Sequence, residues 1–310
     1  MDLSIVVPIK NEAENLSNLC TEIAEALHPT GLSFEVLVVD DGSDDDSWGI
    51  LQELSGSVPF LRAVRFQYNC GKAAALSQGF SMVSGDYVVT MDGDLQDNPF
   101  EIPRMIELLQ SGYDLVSGWK KKRHDPWHKT WPSKLFNLVV SAVAGIRLHD
   151  FNCGLKAYKH QVIAHIPLYG DFHRFIPVMA KWRGFKVTEM IVEHRPRVHG
   201  VSKYGVSRLI SGFLDLLTLL FIHKFSIKPL HFFGSIGLLF FLTGTGLFGF
   251  FGVEWVITGA LHLRPLMLAG GVFLLMGIQL GSLGLLGEML NARVRSESLP
   301  VSAHIRPKGI

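Results

Sequence analysis

Apolar residues along this chain follow two regimes. Up to about residue 205, short apolar runs alternate with segments whose apolar positions recur every three or four residues; beyond residue 230 the apolar stretches are long and nearly unbroken. In the first regime, Leu3–Pro8, Phe34–Val39, Leu61–Phe66 and Tyr87–Thr90 are rich in β-branched and aromatic residues and read as buried strands. Between them, Leu16, Leu19, Ile23, Ala26 and Leu27 have the spacing of one buried helix face. Further helices are expected from about Ser47, after Gly71-Lys72, and at Pro99, since proline suits the first helical position. Later strands are expected at Asp114–Gly118 and Val187–Val192, with a bend at Asp150–Lys156 entering a strand. Asp171 precedes an apolar helix and would serve as its cap. Such alternation predicts an α/β fold, a mostly parallel sheet with flanking helices.

The second regime predicts membrane elements. From Val206 to Lys224, residues Leu209, Ile210, Phe213, Leu216, Leu217 and Leu220 share a broad face, with Arg208, Ser211 and Asp215 elsewhere. A helix lying in the headgroup plane has this pattern. Leu230–Val253 has 24 residues and Pro265–Gly287 has 23, with no Asp, Glu, Lys or Arg in either. Each reaches about 35 Å as a helix, enough to cross a hydrocarbon core. The short connection Glu254–Arg264 makes them a hairpin. Lys224 and Lys228 precede it, Arg293, Arg295, Arg306 and Lys308 follow it, and the connection holds one Arg and no Lys. The positive-inside rule therefore puts both termini and the polar half in the cytoplasm, with the hairpin in the inner membrane. Gly277, Gly281, Gly284 and Gly287 form a small-residue stripe for close packing, within the hairpin or between subunits of a homo-oligomer. The expected organisation is a cytosolic domain at 1–205, an interface segment at 206–228, two spans within 229–290 and a tail at 291–310.

Composition narrows the partners. The 310 residues carry a net charge of +1, which gives no global nucleic-acid signature. A mean hydropathy of +0.26 is high for a soluble enzyme, and the excess lies in the second regime. Cys20, Cys70 and Cys153 contain no CxxC pair and read as reduced core residues of a cytosolic compartment. Met1 leads within four residues into a strand, so no signal peptide is expected.

Candidate chemistry gathers where strands end. Tyr87-Val-Val runs into Thr90-Met91-Asp92-Gly93-Asp94-Leu95-Gln96-Asp97. Alternate residues of an extended segment share a side, so Asp92, Asp94 and Gln96 would aim oxygens at one point. Mg²⁺ and Mn²⁺ take such hard oxygen ligands, although alone the motif also reads as a polar turn. Asp40 and Asp41 end the second strand, and ligands bind outside such ends in open α/β sheets. Asp44, Asp45 and Asp46 suit the first turn of a helix. Gly71 and Lys72 at a helix start can hold an anion but lack the flanking residues of a P-loop. Lys120 to Arg123 are consecutive cations, suited to phosphates, to an anionic membrane or to plain solvation. The segment from His194 to Gly205 adds Arg195, Arg197, Ser202 and Lys203.

The motifs Pro8-x-x-Asn11-Glu12, Asp40-Asp41-Gly42-Ser43, Asn69-x-Gly71-Lys72 and Asp92-x-Asp94-Leu-Gln96-Asp97, in this order, resemble family 2 glycosyltransferases with the GT-A fold. With two C-terminal spans, the chain is similar to the polyprenyl-phosphate glycosyltransferases, which include dolichol-phosphate mannose synthase and bacterial undecaprenyl-phosphate glucosyltransferases. The resemblance implies that Pro8, Glu12, Asp40, Asp41 and Lys72 line the donor pocket with Asp92 and Asp94. It implies that Asp92, Asp94 and Gln96 hold Mg²⁺ or Mn²⁺ on the donor diphosphate. Asp150-x-x-x-Gly154-x-Lys156 is similar to the family's Asp-x-x-Ser-Gly-Phe-Arg stretch near the acceptor, with Cys153, Leu155 and Lys156 in place of Ser, Phe and Arg. Trp119-Lys120-x-x-Arg123 resembles a basic loop that often begins with Arg.

The implied reaction is inverting transfer of a hexose from a nucleotide sugar, UDP-glucose before GDP-mannose, to undecaprenyl or dolichyl phosphate in the bilayer. Asp94, Asp150 and Arg123 would serve the chemistry, and Lys156, Arg174, Arg195, Ser202 and Lys203 the acceptor phosphate. A phosphate monoester is largely dianionic at neutral pH, so Asp150 is expected to orient first and act as a base second. One rival is a processive polysaccharide synthase, whose Gln-x-x-Arg-Trp motif is missing here: Trp182-Arg183 is reversed and lacks the Gln. The other is an inactive sugar-lipid carrier or flippase partner, which the intact Asp92-Gly93-Asp94 opposes. A dinucleotide dehydrogenase would need a GxGxxG after the first strand, and none is there.

Overall fold

The computed structural model describes residues 1–121, 137, 139–142, 144–166, 168, 170–195, 207–225, 228–259 and 264–294. Two compact units emerge, Met1–Leu216 and Leu217–Ile310.

The first unit is built on β1 (Leu3–Ile9), α1 (Leu16–Leu27), β2 (Phe34–Asp40), α2 (Ser47–Ser55), β3 (Leu61–Arg65), α3 (Lys72–Met82) and β4 (Tyr87–Thr90). After these come α4 (Ile102–Gln110), β5 (Leu115–Trp119), β6 (Lys156–Lys159), α5 (Ile176–Trp182) and β7 (Val187–Ile191). The strands form one seven-stranded sheet in the order β3-β2-β1-β4-β6-β5-β7. β1 lies between β2 and β4, parallel to both, with Ile5 opposite Val36 and Val89. β3 continues the parallel set beside β2, and β5 and β7 are parallel to each other. β6 runs against both of its neighbours, with Lys156 opposite Thr90 on β4 and Ser117 on β5. The sheet is therefore mixed, parallel but for this one strand.

Burial explains the strand composition. Leu3, Ile5, Val7 and Ile9 enter a core with Val36, Val38 and Val89 and with the apolar faces of α1 and α4. Val6 points the other way, under α3. With helices on both sides, these strands read as continuous apolar runs instead of alternating ones. The helical face expected from spacing is the one buried, Leu16, Leu19, Ile23, Ala26 and Leu27, joined by Cys20. Each buried Leu or Ile contributes about 2 kcal/mol through lost apolar exposure.

Three local expectations need correction. Pro99 opens a 3-10 turn, Pro99–Glu101, capped by the Asn98 side chain, and α4 begins only at Ile102. Asp171 makes no capping bond to the turn Phe172–Phe175; its carboxylate instead accepts from Arg174 Nη2 at 3.0 Å. Cys20 and Cys153 are buried and all three thiols are free, but Cys70 is exposed, because its backbone and not its side chain is used by the fold.

A helix, α6 (Ser207–Phe225), carries the chain between the units. The second unit then contains α7 (Pro229–Thr258) and α8 (Pro265–Val294), each of 30 residues. They outrun the uncharged stretches because Glu254 remains helical, paired with Arg264 at 2.6 Å across the connection. Only 17% and 11% of their apolar windows are buried, so most of their Leu, Phe, Val and Ile side chains lack protein cover. That separates them from the core helices of a soluble fold and fits lipid contact. Thr243, Thr245 and Ser282 return their hydroxyls to carbonyls one turn back, which satisfies them without water. Gly277, Gly284 and Gly287 of the stripe face the partner helix of the hairpin, whereas a Cβ on Gly281 would meet nothing within 4 Å. A Cβ on Gly277 would come within 2.7 Å of the Phe241 nitrogen and 2.8 Å of the Gly237 oxygen, so the two backbones touch there.

Candidate active site

The end of β4 turns sharply. Leu95, buried, adopts a φ of 60°, a conformation costly for a residue with a branched side chain and found where surrounding structure enforces it. The segment after Thr90 is thus a turn and not an extended strand, so strand alternation does not bring Asp92 and Asp94 to one side. Hydrogen bonds fold it instead: the Asp92 N–H donates to Asp97 Oδ2 at 3.1 Å and the Gln96 N–H to Asp94 Oδ1 at 3.3 Å. Gln96 also meets Arg195 twice, its carbonyl accepting from the Arg195 N–H at 3.1 Å and its Nε2 donating to the Arg195 carbonyl at 3.4 Å.

Beside the turn lies a small cavity lined by Pro8, Lys72, Thr90, Asp92 and Lys156, with Asn152 to Gly154 and His173 completing its polar wall. Lys72 reaches from the start of α3 to form an ion pair with Asp92. Lys120, at the end of β5, pairs with buried Asp97 at 2.8 Å. Burial opposes the Asp92 charge, but the Lys72 and Lys120 cations outweigh it and hold the carboxyl below the usual range. Burial likewise opposes the Lys120 charge, and Asp97 and Asp92 more than restore it, pushing its pKa up. Lys156 is buried and, among the described residues, forms no ion pair; its ammonium donates to the Cys153 carbonyl, and burial lowers its pKa. Burial pushes the Cys153 thiol up to about 12, so this cysteine stays protonated.

Gly154 sets the spacing of the site. A Cβ there would fall 2.6 Å from the Asp92 carboxyl carbon, so any larger residue would have to displace that side chain. The Gly154 carbonyl also accepts from Thr90 Oγ1 at 2.9 Å, which ties the loop before β6 to the end of β4. In that loop Asp150 is almost completely buried and accepts the Asn152 N–H at 3.0 Å.

The acids at the ends of β1 and β2 have different partners. Asp41 accepts from the N–H groups of Cys70 at 2.6 Å and Gly71 at 2.9 Å, which anchors the start of α3. Asp40, fully buried, accepts from the Ser43 N–H at 2.9 Å and faces Arg65 Nε at 3.3 Å. Glu12 accepts from Asn15 Nδ2 at 2.6 Å, and its own N–H donates to Ser47 Oγ at 3.0 Å.

Among the sequence-selected residues, the structure therefore brings Pro8, Lys72, Asp92 and Lys156 around one cavity. Asp94 and Gln96 lie in the adjoining turn, and Glu12, Asp40 and Asp41 at the neighbouring strand ends. Arg174 is buried against Asp171. Arg195 does not line the cavity; it pairs with Glu22 of α1 at 2.6 Å and with Asn98 at 3.0 Å. Arg123, Ser202 and Lys203 lie outside the described residues. Asp97 and His173 were not selected from the sequence. Asp97 stood within a quoted motif, and His173 beside Arg174, but neither had a spacing that signalled its partners.

The donor set suits a hard divalent cation. Asp92 and Asp94 offer carboxylate oxygens, and with its Nε2 on Arg195 the Gln96 side chain has its carbonyl oxygen to give. The ammonium of Lys72 on Asp92 marks that carboxylate as one already serving a cation. Among the described residues no three His, Cys, Asp or Glu side chains cluster.

Comparison with known proteins bears on the whole chain. The model of the family described as "Glycosyl transferase family 2" matches residues 4–167. A dodecaprenyl-phosphate galacturonate synthase of Rhizobium johnstonii is 37% identical over 296 residues, covering 94% of this chain and 88% of that protein. An undecaprenyl-phosphate 4-deoxy-4-formamido-L-arabinose transferase of Pseudomonas syringae pv. syringae is 36% identical over 298 residues, covering 93% and 85%. Among solved structures, glucosyl-3-phosphoglycerate synthase from Mycobacterium tuberculosis, in complex with Mn²⁺, UDP and glucosyl-3-phosphoglycerate, superposes with a TM-score of 0.55 at 20% identity, covering 72% of this chain and 79% of that one. At that identity the likeness speaks for the fold.

Proposed function

We propose that this chain, which belongs to glycosyl transferase family 2 and is a glycosyltransferase, moves a sugar from a nucleoside diphosphate to a polyprenyl phosphate held in the bilayer. The observation that carries this reading is the cavity beside the Asp92 turn, where Lys72 and Lys156 meet at the carboxyl end of β4. Two phosphate-bearing substrates need cations at one point, and this is where the fold supplies them. The relatives that match along nearly the full chain act, by their names, on dodecaprenyl and undecaprenyl phosphates, which supports a lipid acceptor and gives the exposed apolar helices a purpose.

Asp92, Asp94 and the Gln96 carbonyl would hold Mg²⁺ or Mn²⁺, which when bound supplies positive charge against the leaving diphosphate. The Mn²⁺ and UDP in the mycobacterial enzyme support that pairing and a uridine nucleotide. In the transfer, a lipid phosphate oxygen forms a bond to the anomeric carbon as the bond from that carbon to the diphosphate oxygen breaks. The electron pair leaves with the nucleotide, and the configuration inverts. The acceptor is already largely dianionic, so Asp150 orients it and need not remove a proton. Lys156 and Arg174 offset the acceptor's charge, and Lys72 passes from Asp92 to the donor phosphates. Pro8, Glu12, Asp40 and Asp41 serve the nucleoside side. The cationic flanks of the hairpin support a catalytic domain on the cytoplasmic face of the inner membrane.

The test is reconstitution in vesicles containing undecaprenyl phosphate and Mn²⁺. Radiolabelled UDP-glucose, UDP-galacturonic acid, UDP-4-deoxy-4-formamido-L-arabinose and GDP-mannose are offered separately. Label moving into organic extract from one UDP donor is the expected result. Label in a water-soluble polymer, or transfer from none of the four, overturns it.

A further inference from the structure

His149 precedes Asp150 and is held from several directions although its side chain is 61% exposed. Its backbone N–H donates to Glu189 Oε2 at 2.8 Å, and its Nδ1 pairs with the other oxygen of the same carboxylate. Its ring stacks on Trp119, with centroids 4.0 Å apart and planes 13° from parallel. Its carbonyl accepts from Asn137 Nδ2 at 2.7 Å. Glu189 lies opposite Ser117 in the β5–β7 register, so it projects from the same sheet face as Trp119, two residues further along β5. The two strands thus present one carboxylate and one indole as a seat for a single residue.

An exposed histidine gains little stability from one surface ion pair. Four contacts to three residues do something else: they fix the backbone at His149. Asp150 shares a peptide with it, and any swing of that peptide moves the buried carboxylate. Glycosyl transfer needs acceptor and anomeric carbon held near attack distance, and small misplacements there are costly.

We propose that His149, seated between Trp119 and Glu189, is a positioning residue that fixes the Asp150 carboxylate for the transfer step. This rests on the reading of Asp150 as the group that orients the acceptor. His149→Ala lowers kcat on the order of tenfold with the donor KM unchanged. His149→Phe, which keeps the stacked ring and loses the bond to Glu189, falls between it and the parent. In an Asp150→Asn background, His149→Ala costs less than about twofold more, since the two act through one carboxylate. Full kcat in His149→Ala overturns the proposal, as does a loss confined to the donor KM or one that multiplies in the double variant. An unchanged rate in Asp150→Asn alone sinks the role of Asp150 first, and this proposal with it.

Discussion

The two halves of the sheet's carboxyl edge treat their acids differently. At the ends of β1 and β2, Asp41 is bound by the N–H groups of Cys70 and Gly71, and Asp40 by the N–H of Ser43. At the ends of β4 and β5, Asp92 and Asp97 are met by the ammonium groups of Lys72 and Lys120. Carboxylates bound to backbone N–H groups hold loops in shape. Those met by a flexible lysine can exchange that partner for a ligand's charge, because a lysine stem rearranges where a backbone cannot. The edge thus divides into a part whose acids are fixed in place on the nucleoside side and a part whose acids can exchange partners.

The sharpest test of this division pairs Asp92→Asn with Asp41→Asn. The first should lower kcat by about 10²- to 10³-fold, as loss of a group that stabilises developing charge does, with little change in thermal stability. The second should lower stability by about 1–3 kcal/mol, read by thermal unfolding in detergent, because two partly buried N–H groups at the start of α3 lose a charged acceptor. Equal stability losses in both would erase the distinction. Lys120→Met comes next. Its partner Asp97 is fully buried, so the variant should lose about 3 kcal/mol of stability through an uncompensated internal charge. A near-neutral effect would show Lys120 to be as dispensable as a surface cation.

The smallest effect is in pH. Burial first, then Lys72, Arg174 and Lys156, hold the His173 imidazole well below 6.5, with Asp92 pulling the other way. As pH falls through about 6.5 the unfolded imidazole takes up a proton that the folded one refuses, so stability declines by up to about 1.4 kcal/mol per pH unit. His173→Gln removes this contribution, and its stability between pH 7 and 5 should decline less steeply than the parent's. Identical slopes would mean that the imidazole does not sit in the cationic side of the cavity.

Much of this was legible in the sequence. Strand positions came from apolar runs, and the α1 face from spacing, because burial selects side chains at those periods. The two long apolar helices came from stretches without charge. What stayed hidden was relational. Nothing in Lys156–Lys159 announces that it runs backwards between β4 and β5, since side-chain pattern does not encode strand order or direction. The Asp92 turn looked like a strand continuation because the left-handed Leu95 is enforced from outside. Lys72 was readable as an anion binder at a helix start, but its pairing with Asp92 depends on how α3 packs beside β1. Arg195 looked like a phosphate ligand by composition, yet it faces Glu22, a residue 173 positions away.

The reversed strand has one further consequence. Ser117 near the end of β5 and Lys156 at the start of β6 are register partners, so the chain leaves the sheet and re-enters it at the same edge. Among the described residues between them, Lys120 pairs with Asp97, the Gly154 carbonyl accepts from Thr90 and the His149 N–H donates to Glu189, so the excursion is tied to the strands near both of its ends. Those ends carry Asp150 and the Gly154 that packs on Asp92, so a change there would retune acceptor and donor sides together while every strand keeps its place.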